Sequence, residues 1–116
     1  EVIMAHDILK LKSVHPTKGY SHAAKAGKTL YIAGQIAQDV DGKLVGKSDF
    51  EAQVRQVCEN LKNIVEEAGG VITDMDGEPD YLASGNVVCG PPGVHEELLE
   101  VVRTHRDSWH EALLRG

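Results

Sequence analysis

Leu9 and Leu11 alternate with Lys10 and Lys12 in "HDILKLKSV", His6 to Val14. An apolar–polar period of two marks a half-buried strand. His15-Pro16-Thr17-Lys18-Gly19 breaks that pattern, and a second strand is read from Tyr20 in "YSHAAK". Ala26-Gly27-Lys28 has turn chemistry. Beyond it Leu30 and Ile32 alternate with Tyr31 and Ala33, and Asp41-Gly42 reads as another hairpin turn. The period then changes. Phe50, Val54, Val57, Leu61, Ile64 and Ala68 follow one another at spacings of four and three, the apolar stripe of a helix. "SDFE" reads as a capping box, with Ser48 as the N-cap and Glu51 reaching back to it. Gly69-Gly70 supplies the stop.

After Gly70 the pattern weakens. "VITDMDGEPDYLASGNVVCGPPG" is rich in turn formers, with one short strand expected near Asn86 to Cys89. A second amphipathic helix follows, with Val94, Leu98, Val102, His105, Trp109 and Leu113 on one face. Strands first and helices afterwards, without strict alternation, predict the α+β class: a mostly antiparallel sheet packed by two helices.

Composition narrows the functional classes. A chain of 116 residues makes one domain, and 1–116 is read as such. Aromatic residues are only 4% of it, so the core must be aliphatic. A formal net charge of −6 leaves no cationic excess to displace counterions, which disfavours a nucleic-acid partner. The lysines of the N-terminal half are read as solvated strand edges and loops. The apolar runs are too short to span a bilayer, and the first residues lack the basic flank and apolar core of a secretory signal. Two cysteines, Cys58 and Cys89, are too few for a disulfide scaffold and are expected as buried, reduced thiols in a cytoplasmic protein.

Few side chains promise chemistry by spacing alone. His95, His105 and His110 lie ten and five residues apart, which does not stack them on one helical face. Asp107 and His110 are one helical turn apart, a commonplace pairing. "HEELLE" lacks the second histidine of a zinc-protease helix, so no metal is expected. Ser21 and His22 are neighbours and point to opposite faces of a strand. Cys58 falls near the helix stripe, and Cys89 lies in a loop with nothing nearby to activate it. No glycine pattern fits a phosphate loop.

"GYSHAAKAGKTLYIAGQIAQDVDGKLVG" and the helix after it nevertheless resemble a known family, the Rid family, also called YjgF or L-PSP. The resemblance rests on Tyr20-Ser21-His22-Ala23, on Ala33-Gly34-Gln35, and on Phe50, Gln53, Asn60 and Leu61, and it covers Gly19 to about Asp74. It implies a chorismate-mutase-like α+β fold and a homotrimer with clefts between subunits. It also implies hydrolysis of reactive 2-imino or enamino acids, of the 2-iminobutanoate and 2-iminopropanoate type, to 2-keto acids and ammonia without a cofactor. In that picture Tyr20 lines the cleft, and Ala33, Gly34 and Gln35 help to bind substrate. The family's substrate-clamping Arg and functional Glu lie beyond the matched stretch, where Arg103, Arg106 and Arg115 fall in or at the end of the second helix, and catalytic residues are left unassigned. Two alternatives stand beside the deaminase: a non-catalytic small-molecule-binding oligomer, and the endoribonuclease or translation inhibitor of the family's older label.

Overall fold

The computed structural model describes residues 7–115, the side chains of residues 107, 110 and 113 excepted. The chain divides into two compact units, the first running to Ala68 and the second starting at Gly69. The first unit has three strands and a helix: β1 (Asp7–Leu9), β2 (Ala23–Ala26), β3 (Thr29–Ile32) and α1 (Phe50–Glu67). Its strands form one antiparallel sheet in the order β1-β2-β3. The α+β class with antiparallel strands is as expected, and several boundaries differ for identifiable reasons.

The first strand is only three residues long, ending at Leu9 where Val14 was expected. Its continuation is drawn away from the sheet by Glu67, at the end of α1. The Glu67 carboxylate accepts from the backbone amides of Lys12 (2.8 Å) and Ser13 (2.9 Å), and from the Ser13 hydroxyl. Those bonds stabilise its charged form. The Ser13 hydroxyl and then the Lys12 amide hold the carboxyl below its ordinary value. The second strand likewise starts late, at Ala23, because Tyr20, Ser21 and His22 lie in the bend before it. His6, the expected first residue of β1, lies outside the described residues.

Asp49 rather than Ser48 is the N-cap of α1, its carboxylate accepting from the amide of Ala52 at 3.1 Å. An anion there satisfies an orphan amide and suits the positive end of the helix. The turn before it depends on Gly46, whose φ is +68° and whose carbonyl accepts from the Gln53 side chain at 2.7 Å. A Cβ at Gly46 would come within 2.8 Å of the Asp49 carbonyl oxygen, so the loop can close on the helix only with glycine there.

The apolar stripe of α1 is used unevenly. Ile64 is completely buried with Val14 and Ala23, and Leu9, Leu11, Leu30 and Ile32 pack around them. Phe50, at the other end of the same stripe, is 81% exposed, and Val54 is also exposed. Between these ends Asn60, one of the residues that carry the family resemblance, is buried on the helix. Its Nδ2 donates to the carbonyls of Ile36 and Gln38, both at 3.0 Å, and its Oδ1 accepts from Gln56. A buried amide with all these partners ties the irregular chain after β3 to the helix.

The second unit holds β4 (Val71–Thr73), α2 (Tyr81–Ser84), β5 (Val88–Gly90) and α3 (Pro92–Arg115), with β4 and β5 antiparallel. Neither β4 nor α2 was foreseen. Three residues of β4 and one turn of α2 are too short to show a period. Cys89 is placed in β5 and not in a loop. The buried face of α3 is also rotated from the expected one: His95 and Leu99 are buried, whereas Val94, Leu98 and Trp109 are exposed. His95 faces inward because Thr73 of β4 gives its Nε2 a hydrogen-bond partner at 2.9 Å. Leu113 and His110, named in the sequence reading, lie outside the described side chains.

Candidate functional site

The three-stranded sheet has one covered face and one bare face. Leu9, Ala23, Leu30 and Ile32 turn toward Ile64, so their alternating neighbours look the other way. Ile8, Ala24 and Tyr31 are paired across the three strands in a single row. Ile8 and Tyr31 are exposed. At the end of this row an open depression of about 630 Å³ is lined by Gly19, Tyr20, Ser21 and Ala33, with the row itself as its floor.

Tyr20 is positioned by a short turn. Thr17 Oγ1 donates to the Tyr20 carbonyl at 2.6 Å, and Gly19 takes a φ of +77° just before it. The Tyr20 ring is half exposed and stands edge-on to His22, 6.2 Å between centroids. Ala33 is brought alongside because its amide donates to the His22 carbonyl at 2.9 Å. Tyr20 and Ala33, far apart in sequence, thus share one wall. Ser21 lines the depression while His22 is buried, in keeping with their opposite directions along the chain.

Gly34 and Gln35 do not line it. Gly34 is exposed with open space around it. Gln35 turns its amide inward: Nε2 donates to the Ala33 carbonyl (3.0 Å) and meets His22 Nδ1 at 3.2 Å. Its place is therefore behind the wall of the depression. The sequence had no means of showing this, because a polar residue after a strand can face either way.

No arginine lines the depression among the described residues. Arg55 pairs with Glu51 one turn away on α1. In the second unit Arg103 donates to the Asp76 carbonyl, Arg106 pairs with the Asp76 carboxylate at 2.6 Å, and Arg115 pairs with Glu111 at 3.4 Å. No group of three or more His, Cys, Asp or Glu side chains is gathered as a metal site among the described residues. Both cysteines are free. Cys58 is half-buried, where a buried thiol was expected, and Cys89, the more exposed candidate of the two, is exposed because β5 presents it outward between the buried Val88 and half-buried Gly90. No helix of the described chain is long and apolar enough to cross a membrane.

Comparison with known proteins agrees with this geometry. The family model described as Endoribonuclease L-PSP matches residues 10–86. A RutC family protein of Sulfurisphaera tokodaii is 42% identical over 64 residues, which are 55% of this chain and 51% of that protein. The chain thus spans about half the length of that curated relative. The crystal structure of YyfA, a Rid family protein of Yersinia pestis, superposes with a TM-score of 0.53 at 32% identity, covering 59% of this chain and 61% of that one. A separate, shorter similarity is to inositol-1-monophosphatase ImpA of Mycolicibacterium smegmatis, 46% identical over 41 residues, 35% of this chain but only 15% of that protein. With more than half of its length matched by one family model, and a Rid structure superposing on it, this chain belongs to the Endoribonuclease L-PSP family, the Rid group of proteins.

Proposed function

We propose that the protein is a Rid-type deaminase that hydrolyses reactive 2-imino and enamino acids, of the 2-iminobutanoate and 2-iminopropanoate type, to 2-keto acids and ammonia. The observation that carries this reading is the convergence of Tyr20 and Ala33 on one depression at the edge of an apolar floor. The chemistry needs little beyond orientation. A protonated imine is already electrophilic, so water adds to its carbon as the C=N electron pair moves to nitrogen. Collapse of the resulting carbinolamine expels ammonia and leaves the keto acid. A phenol beside the reacting carbon can accept from the attacking water or donate to the new hydroxyl, and the apolar floor of Ile8, Ala24 and Tyr31 suits a short aliphatic side chain. Nothing in these steps calls for a metal or organic cofactor.

A coupled assay tests it: a pyridoxal-dependent dehydratase supplies the imino acid, and keto-acid release is followed. The wild-type chain is expected to exceed the spontaneous rate, and Tyr20→Phe to lower that excess about tenfold, the worth of one hydrogen bond of about 1.4 kcal/mol. No excess over the spontaneous rate refutes the deaminase reading for that substrate.

A second reading, a non-catalytic binding module, is favoured by one observation: each arginine is engaged by a partner of its own unit, which leaves a substrate carboxylate without a bidentate clamp from this set. A 2-keto acid that binds to the chain with the rate still spontaneous selects this reading. The endoribonuclease reading has the net charge of −6 against it, and RNA cleavage that follows the purified chain would restore it.

Assembly belongs to the same proposal. The bare row of Ile8 and Tyr31, with the half-exposed Tyr20 beside it, is apolar surface that a closed homotrimer in a cytoplasmic setting covers. Light scattering at micromolar concentration is expected to give three times the 12.6 kDa of one chain. A mass of one chain rules out the trimer and any cleft between subunits.

A further inference from the structure

Behind the Tyr20 wall lie two histidines that the proposed chemistry does not use. His15 and His22 are 3% and 5% exposed, and their rings meet edge-to-face with centroids 4.6 Å apart. The hydrogen bonds fix the tautomer of one of them. His22 Nε2 lies 2.7 Å from the His15 carbonyl, which can only accept, so Nε2 carries the proton. Its Nδ1 is then the acceptor for the Gln35 amide. A second proton, placed on Nδ1, would face the Gln35 N–H donor head-on.

His15 itself has no such support. Among the described residues, the buried side-chain nitrogens and oxygens without a partner are His15 Nδ1, His15 Nε2 and Gln35 Oε1, all in this one cluster. A neutral imidazole left there forgoes one donor bond, but an imidazolium forgoes two and carries a charge out of water. The surrounding ionisable groups offer it no counter-ion. His22 faces it from the bend before β2, with Tyr20 beyond. The exposed Glu67 carboxylate is taken by the backbone amides of Lys12 and Ser13, on the chain before His15.

We propose that His15 and His22 form a proton-operated latch on the Tyr20 segment. While His15 is neutral the two rings hold residues 15–22 against the end of β3, and uptake of a proton by His15 releases that segment and opens the wall of the depression. The coupling runs through two bonds already described: His22 holds the His15 carbonyl with its ring and the Ala33 amide with its own carbonyl. This latch works whatever the depression binds.

The sign of the pH effect follows from burial. Desolvation first, and the neighbouring His22 second, hold His15 below its ordinary value of 6.5. Above pH 6.5 the closed and released states are both neutral, and the latch is at full strength. As pH falls below that value the released state takes up a proton that the closed state resists, so closure weakens until the lowered value of the closed state is passed.

The test is amide hydrogen exchange at Ala33, expressed as a protection factor, beside imidazole ¹⁵N spectra of His15 and His22 from pH 8 to pH 5. Protection of Ala33 is expected to fall on acidification below the ordinary histidine range, at no more than about tenfold per pH unit, the limit for one proton, and to level off once the closed state itself takes up the proton. His15→Leu, which removes the titrating ring, is expected to abolish that fall while protection at pH 8 remains. His22→Gln, which can still donate to the His15 carbonyl and accept from Gln35, is expected to retain the closed state and the fall. A His15→Leu chain that loses Ala33 protection as steeply as the wild type overturns the proposal. So does a wild-type spectrum in which His15 gains its proton while Ala33 stays protected, a readout that stands even where the leucine variant fails to fold.

Discussion

Asn60→Leu is expected to lower the unfolding free energy by about 3 kcal/mol, although it replaces a polar core residue by an apolar one of similar size. Asn60 is only 1% exposed. Leucine would fill its space but offers no donors to the carbonyls of Ile36 and Gln38, and Gln56 would lose its acceptor. Groups stranded in this way cost about 1–3 kcal/mol each, less where water can reach them, and this sum outweighs the gain from a buried methyl group. Urea denaturation checks it. A lower midpoint with an unchanged slope is the expected signature, because the surface exposed on unfolding stays nearly the same. A loss under about 1 kcal/mol would mean that water replaces the amide, and that the irregular chain after β3 is not held by this residue.

Ile64→Ala is the other large effect, a loss of about 3–4 kcal/mol. The side chain has no exposed surface and is enclosed by Val14, Ala23, Leu9, Leu11, Leu30 and Ile32. A cavity there is bounded by strands on one side and the helix axis on the other, so neighbours can close it only by bending backbone. Phe50→Ala, from the same sequence stripe, is expected to change stability by less than about 0.5 kcal/mol at concentrations where the chain is a monomer, since Phe50 is 81% exposed. Equal losses at the two positions would show that the first turn of α1 is covered in solution.

That contrast marks how far the sequence could be read. The spacing of Phe50 through Ala68 foretold one helix and its length, because a period repeated over five turns is hard to imitate by chance. It could not say which end of the stripe meets the sheet. Burial is decided by residues distant in sequence, here Val14 and Ala23. The hairpin of β2 and β3 was legible because Gly27 opens its turn at a φ of +58°, a conformation that glycine adopts without strain. The end of β1 was not legible, since the group that ends it is Glu67, at the far end of α1. In the candidate site Tyr20 and Ala33 were named from their motifs, and the structure brings both to one wall. Gln35 was named with them but is placed behind that wall. His15, in a stretch read only as a break between strands, escaped notice altogether. A histidine before a proline in a turn-rich segment signals solvent, and its burial arises only when β2, β3 and the loop come together. The resemblance was legible only as far as about Asp74, whereas the family model extends it to residue 86.

The Glu67 bonds to Lys12 and Ser13 have a consequence for how the chain is made. They join residues 55 and 54 positions apart, whereas the β2–β3 pairing closes over a two-residue loop. Local pairing forms in microseconds, and closing a long loop is the entropically later event. On the ribosome, at about 5–20 residues per second, the hairpin can form once Ile32 has emerged. The segment after β1 must wait several seconds longer for the last turn of α1. During that interval the segment from Lys12 to Ser13 lacks its anchor on α1, and the apolar side chains of β1 are in reach of chaperones.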